Sequence, residues 1–598
     1  MVIKDKTRAE IKESDKWDLS SLYQSEDDWN NDYKFLIDNK DKYLSFKGKL
    51  NNSQTIKEFY EFDSVFCQKS DAVYTYAALK FDEDTSNSKY QEMKGKIENL
   101  LTDISADVSF VLPELSKLSK TDFDRFMEED SSLKKYEYEF KELGRFKSHI
   151  LSDKEEKIIS SLSKTLNTPA AVFKYLCNSD MVFGTIKDSK GNDVVLSNTN
   201  FSKYITDNDR TVRKNAFYTL YKEYEKFQNT FAAAYNGEVN LDNVSAKLRG
   251  YNSALEAALF GGNINNKIYD NLINTVHKNL NIMDDYYAMK KEVMGLDELH
   301  IYDIYGDLIP ESSKSYSFIE AKNIVLDALS ILGKDYISNL NKAFDERWID
   351  IYPNKGKAGG AYSSGCFTSN PYVLLNFNGK YSDVSALAHE LGHSMHSYYS
   401  NKNNPYIYHD YKIFVAEVAS QVNELILARY LIDHSNDKKE KLAILDSLME
   451  LFKGSIIRQT MFAEFEKDMH EAEASGEVLT SEFTANKYYE LYKKYSGKNM
   501  ISDLEIRYEW EKIPHFYYDF YVYQYATGLS AACFIANNIM NHKEGALDNY
   551  LKFLTLGGRM DPTDELLVAG VDMNDPSVIQ SAMDMFKRTI DEFKEIYK

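Results

Sequence analysis

Long stretches of the chain repeat apolar residues at three- and four-residue steps, the spacing of one helix face. In SKYQEMKGKIENLLTDISADVSFVLPEL this places Met93, Ile97, Leu100, Leu101 and Ile104 together. Similar Lys/Glu/Tyr-rich segments with short polar breaks fill residues 1 to about 180. Helical spacing resumes at about 208 with NDRTVRKNAFYTLYKEYEKF and continues, with interruptions, to about 345. Two places break it. MVFGTIKDSKGNDVVLS (181–197) is a pair of β-prone runs around Lys-Gly-Asn-Asp, which predicts a hairpin. Further on, ERWIDIYP (346–353) alternates like a strand, and GKAGGAYSSG (356–365) is a glycine-rich loop. PYVLLNFNG (371–379) then predicts a second strand, expected at a sheet edge where an extended peptide could add. SDVSALAHELGHSMHSYYS follows as a helix, with Ser382 or Asp383 as N-cap. Helical patterns fill the remainder. The expected fold is mainly α and two-lobed, with a small β-sheet beside the 382–400 helix. The lobes are placed at 1–200, ending in the hairpin, and 201–598.

Composition narrows the class of protein. Glycine (26) and proline (9) are scarce over 598 residues, which favours long helices with short connections. A formal charge of -21 would repel phosphate backbones and disfavours nucleic acid as a partner. Cys67, Cys177, Cys366 and Cys533 lie far apart without CxxC spacing, so neither a disulfide framework nor a thiolate zinc knot is indicated. No run of about 18 apolar residues occurs, so no membrane span is expected. The first residues lack the apolar run of a signal peptide, and a cytoplasmic location is expected.

The helix after the glycine-rich loop carries His389-Glu390-Leu391-Gly392-His393, an HExxH sequence. Residues four apart lie one turn above each other, so both imidazoles can converge on one zinc ion. Glu390, beside the first of them, can reach a water as general base. Val384, Leu387, Ala388, Leu391 and Met395 form an apolar stripe that leaves the histidines off the core side. Chance alone would produce HExxH about 0.02 times in such a chain.

A catalytic zinc needs a third protein ligand. The extended metzincin pattern fails, because His396 and Tyr399 stand where it needs glycine and histidine. YKIFVAEVASQVNELILARYLI instead offers Glu417, 24 residues beyond His393, flanked by Val415, Ala416, Val418 and Ala419 and expected to face inward. A buried carboxylate without a partner is costly, and a metal would satisfy it. Glu424, seven residues on, can orient a ligating histidine or be a partly exposed helix carboxylate. For His396 a peripheral hydrogen-bonding role is expected rather than ligation.

HELGHSMH followed by FVAEVASQ resembles the thimet-oligopeptidase family of zinc peptidases, in its oligoendopeptidase F branch. KAGGAYSSG, IPHFYYDFYVYQYATG (513–528) and YLKFLTLGGRMDPTDELLVAGVD (550–572) extend the likeness over roughly 200–590. The resemblance implies one zinc ion on His389, His393 and Glu417, and Glu390 as catalytic base. It also implies Tyr518 and Tyr525 as hydroxyls contacting the substrate carbonyl or oxyanion, with His515 as a substrate-binding histidine. A zincin-type fold with a deep channel between helical lobes, and endo-cleavage of short peptides, come with it. No obligate protein partner is evident. Two rivals remain: a zinc carboxypeptidase or dipeptidyl carboxypeptidase, and a non-catalytic peptide-binding protein or metal carrier. Against the second, a carrier needs ligands but no base. Cys366 lies close in sequence to the site, with no role assigned.

Overall fold

The computed structural model describes residues 6–309 and 314–598. The fold is mainly α. Its strands are the hairpin β1 (Thr185–Lys187) and β2 (Asp193–Val195), and a second sheet of β3 (Ile349–Asp350), β4 (Tyr362–Ser364) and β5 (Tyr372–Leu374). The long helices that matter below are α1 (Ser53–Glu83), α2 (Ser88–Val108), α3 (Arg210–Leu248), α4 (Tyr381–Asn403), α5 (Ile413–His434), α6 (Arg458–Ala474) and α7 (Tyr523–Met540). Among the described residues, no helix is long and apolar enough to cross a membrane.

Contacts divide the chain into two compact units, each assembled from three stretches. The first comprises Met1–Ile150, Lys314–Tyr430 and Ile535–Gly570; the second comprises Leu151–Ser313, Leu431–Phe534 and Val571–Lys598.

In the first unit, α1 and α2 share an aromatic-rich core, α2 burying its predicted face there. Met93, Ile97, Leu100 and Ile104 are buried, while Leu101 packs against the edge of that core. Asn52 caps α1 by accepting the Thr55 amide at 3.0 Å. The sheet has the order β3-β5-β4, with β5 parallel to β3 and antiparallel to β4. PYVLLNFNG is therefore the central strand, not the edge. Its continuous apolar run suits a strand flanked on both sides. The outer strand β4 arises from the glycine-rich segment, whose Tyr-Ser-Ser gives little strand signal.

Beneath this sheet lies a buried charge network. Asp350 is fully buried on β3 and is bound by Arg8 Nη1 at 2.8 Å and Lys357 Nζ at 2.7 Å. Lys357 also donates to the carbonyls of Tyr352 (2.8 Å) and Leu375 (2.5 Å). One ammonium thus ties the base of the glycine-rich segment to β5.

Helix α4 begins at Tyr381, and its N-cap is Lys380. The expected caps, Ser382 and Asp383, lie inside the first turn. Asp383 acts from there, accepting the amides of Lys380 at 3.0 Å and Asn378 at 2.8 Å. Val384, Leu387, Ala388, Leu391 and Met395 are all fully buried, as the stripe predicts.

Within this unit α4 and α5 touch backbone to backbone. A Cβ on Gly392 would lie 2.5 Å from the Ser420 Cα and 2.7 Å from the Ala419 carbonyl oxygen. Asn423 Nδ2 reinforces the contact by donating to the Ala388 carbonyl at 3.1 Å, and Tyr336 donates to Asn423 at 3.1 Å. Gly392→Ala is expected to force the helices apart and to destabilise the protein by about 2 kcal/mol or more. Gly454, whose Cβ would enter open space, is the control and should tolerate alanine. Equal chemical-denaturation midpoints for the two variants would contradict this packing.

The second unit holds the hairpin where it is expected. Asp188 accepts the Lys190 amide (2.9 Å) and the Asn192 amide (2.8 Å), and Gly191 takes a positive φ of 83° to close the turn. Around α3, α6 and the segments 504–517 lies an aromatic core including Tyr235, Phe465, Tyr488 and Phe516.

Candidate metal centre and tyrosine cluster

Helical spacing alone brings His389 and His393 together on one face, their rings 5.0 Å apart and edge to face. The contact at Gly392 brings Glu417 to both. Its Oε2 lies 3.4 Å from His389 Nε2 and 3.5 Å from His393 Nε2. A charge-assisted hydrogen bond would be shorter, about 2.7–2.9 Å. The edge of a tetrahedron with bonds of about 2.1 Å is roughly 3.4 Å, so these donors have the spacing of zinc ligands. Among the described residues this is the one group of three or more His, Cys, Asp or Glu side chains that could share an ion, all ligand atoms falling within 4.8 Å. Two neutral imidazoles and one carboxylate suit zinc and leave a fourth position open.

Glu417 does not enter the apolar core as its flanks suggested. Val415, Val418 and Ala419 are buried, but the Glu417 side chain stays 33% exposed, beside His389 at 26% and His393 at 19%. The three donors meet at an accessible surface, as a site that admits a substrate requires.

Glu424 completes the arrangement around His389. Its Oε2 lies 3.3 Å from His389 Nδ1, and its Oε1 accepts the Ser385 hydroxyl at 2.9 Å. With Nδ1 donating to Glu424, Nε2 is the nitrogen that faces Glu417 and the one that would give up its proton to a metal. Sequence reading missed Ser385, although its position one turn before His389 puts it on the same helix face. Burial disfavours a charged His389, yet Glu417 and Glu424 outweigh it and raise its pKa to about 10. Glu417 is itself held well below the usual carboxylate range: burial opposes this, and the two histidines prevail.

Glu390 is nearly buried, and burial raises its pKa. His389 and His393 pull it back, as does the Ser363 backbone amide on β4. Ser394 donates to the Glu390 carbonyl at 2.9 Å and lies 2.8 Å from the Ser363 hydroxyl, tying α4 to that strand. His396 stands apart from the donors. Its buried ring stacks on Tyr411 at 3.7 Å and 4°, with Nδ1 unpartnered, and burial lowers its pKa to about 3. It is a packed neutral ring rather than the hydrogen-bonding group expected.

His515, Tyr518 and Tyr525 belong to the second unit and cluster there. The His515 ring lies 6.0 Å from Tyr518 and 5.9 Å from Tyr525, and its Nε2 is 3.4 Å from the Tyr525 hydroxyl. Tyr521 joins them, stacked on His515 at 6.2 Å and 5.5 Å from Tyr525. Nothing in a run of five tyrosines singled it out, since its place depends on an irregular turn. Tyr518 is 60% exposed. Burial lowers the His515 pKa, keeping that ring neutral near pH 7.

Removing the Glu424 carboxylate should weaken zinc binding by about 10–100-fold, the usual effect of losing a ligand's hydrogen-bond partner. Because zinc must displace a proton from His389, apparent affinity should also rise as pH rises through neutrality. Competition with a chromophoric chelator in stripped wild-type and Glu424→Ala protein measures both. Equal, pH-independent affinities would contradict these roles.

The sequence profile described as Peptidase family M3 matches residues 203–585, and that described as Oligopeptidase F matches residues 114–183. Oligopeptidase PepF of Bacillus subtilis is 41% identical, covering 98% of this chain and 88% of the relative. Group B oligopeptidase PepB of Streptococcus agalactiae is 38% identical, covering 98% of both chains. Among solved structures, the oligoendopeptidase-F of Enterococcus faecium matches with a TM-score of 0.75 and 32% identity, covering 96% of this chain and 99% of that one. A crystal structure from Chlamydophila abortus gives a TM-score of 0.93 at 35% identity, covering 99% of this chain and 100% of that one. With the HExxH helix inside the matched region and relatives aligned over nearly the whole length, the chain belongs to peptidase family M3, in its oligoendopeptidase F branch.

Proposed function

We propose that this peptidase is a zinc-dependent oligoendopeptidase that hydrolyses internal bonds of short peptides, with Glu390 as general base. The observation that carries this reading is the meeting of His389, His393 and Glu417 donors at an accessible surface, next to a nearly buried Glu390. Zinc held there would supply Lewis acidity, polarising a carbonyl and making water acidic near neutral pH.

The chain's own residues do the rest. Glu390 accepts the proton of the attacking water and returns it to the leaving amine. Its burial supports this role, because a carboxylate with a raised pKa holds the proton between the two steps. Tyr518 and Tyr525 donate hydrogen bonds to the oxyanion; a neutral phenol does so without bringing a full charge. His515, kept neutral, binds substrate beside them. Glu424 fixes the His389 tautomer. An extended peptide would lie along β4, the outer strand, whose Ser363 is also tied to α4.

Glu390→Gln removes the base and leaves the three donors in place. Hydrolysis of a quenched peptide should fall by about 10²–10⁴-fold while zinc content stays at one ion per chain. A variant that keeps zinc and full activity would sink the assignment. Mass spectrometry of products from a peptide blocked at both ends tests the endo reading. Internal cleavage is expected; resistance of the blocked peptide with trimming of its free C-terminal counterpart would establish the carboxypeptidase alternative instead.

A further inference from the structure

The tyrosine cluster of the second unit hangs on a strained turn. After the 3₁₀ segment Pro514–Tyr517 the chain passes through Asp519 at φ 34° and Phe520 at φ 54°, then enters α7. Two successive non-glycine residues in the left-handed region are unusual, and for a side chain as large as Phe520 such a conformation is an outlier. It persists only where surrounding contacts over-determine it.

Those contacts come from α6. The Phe520 amide points into the interior and donates to Glu466 Oε1 at 2.8 Å. Glu466 is fully buried, and its other oxygen has no hydrogen-bond partner. The Phe520 ring, also buried, packs against His470 at 4.5 Å and Tyr269 at 6.1 Å. His470 is itself fixed, with Nδ1 donating to the Glu466 carbonyl at 2.8 Å and Nε2 lying 3.1 Å from Asp242. Amide and ring of one residue are thus gripped by a single helix turn, Glu466 to His470. Tyr518 stands two residues before this anchor, Tyr521 one residue after it and Tyr525 on the first turn of α7.

We propose that Glu466 is a positioning residue for peptide hydrolysis: by accepting the Phe520 amide it fixes the left-handed turn that sets Tyr518, Tyr521 and Tyr525 against His515. It touches no substrate. A buried carboxyl is an expensive acceptor for one amide, and an apolar core would not need it. Burial raises its pKa to about 8, with His470 and the Phe520 amide opposing, so the group is largely neutral near pH 7 and glutamine is its closest mimic.

This inference rests on the reading of Tyr518 and Tyr525 as oxyanion donors. Glu466→Ala should lower kcat on a quenched peptide by about 100-fold, the scale of a small misplacement of catalytic groups, with KM within about threefold. Zinc content should be unchanged. Glu466→Gln, which keeps a carbonyl acceptor, should restore kcat to within about threefold of wild type. A folded, zinc-loaded Glu466→Ala enzyme with wild-type kcat overturns the proposal, as does equal loss in the alanine and glutamine variants. Tyr518→Phe and Tyr525→Phe separate the two readings. Loss of kcat in these but not in Glu466→Ala overturns the positioning role alone, whereas full kcat in both overturns the donor reading and the inference with it. Should Glu466→Ala fail to fold, amide hydrogen exchange on the wild-type protein decides: a protected Phe520 amide supports the bond, and exchange at an unprotected rate removes it.

Discussion

Everything at the candidate metal centre depends on one close approach between two helices. A helix can align two imidazoles by itself, because residues four apart share a face. It cannot also bring a carboxylate to the same point from 24 residues away. That requires α5 to lie against α4 with no side chain between them, and Gly392 supplies the missing volume. The same contact sets the positions of Asn423, Glu424 and Ser385, so the three donors and the groups bonded to them are fixed together. An error of 1 Å at Gly392 would reach Glu417 almost undiminished, since packed interiors are stiff.

A second constraint is polar. The sheet beside α4 rests on Asp350, Lys357 and Arg8, three charged groups drawn together where water is scarce. Such networks contribute little net stability, because desolvation offsets most of the attraction. Their value here is geometric. Lys357 needs its carbonyl partners as well as Asp350, and these bonds hold the start of the 356–365 segment in place. That placement sets β4, and β4 in turn holds Ser363 against Ser394 and Glu390. Glu390 is thereby oriented by a strand, while His389, His393 and Glu417 are oriented by helices.

In the second unit the order of priorities is reversed. Local preference argues against a left-handed Asp519-Phe520 pair, and the unit imposes it through a buried acceptor and a buried ring. Here local preference yields to tertiary demand at a turn flanked by Tyr518 and Tyr521, both in contact with His515.

The sequence by itself determined the elements with strong periodicity. The α2 face, the 181–197 hairpin and the α4 stripe fall where alternation and three-to-four spacing place them, because burial of a helix or strand face follows from its own repeat. His389, Glu390 and His393 were legible for the same reason: their relation is local. Glu417 was legible as an acidic residue in an apolar run, though it faces the histidines rather than the core. What tertiary structure alone decided is whatever joins distant segments. Position within the second sheet is one case: β5 reads as a strand, but its central place depends on β3 and β4, both earlier in the chain, pairing along its two edges. The assembly of Met1–Ile150, Lys314–Tyr430 and Ile535–Gly570 into one unit is another. Glu424 acquires its histidine, Tyr521 its ring partners and Glu466 its amide only after folding. No periodicity along one segment encodes a partner on another; that information lies in the shapes that pack.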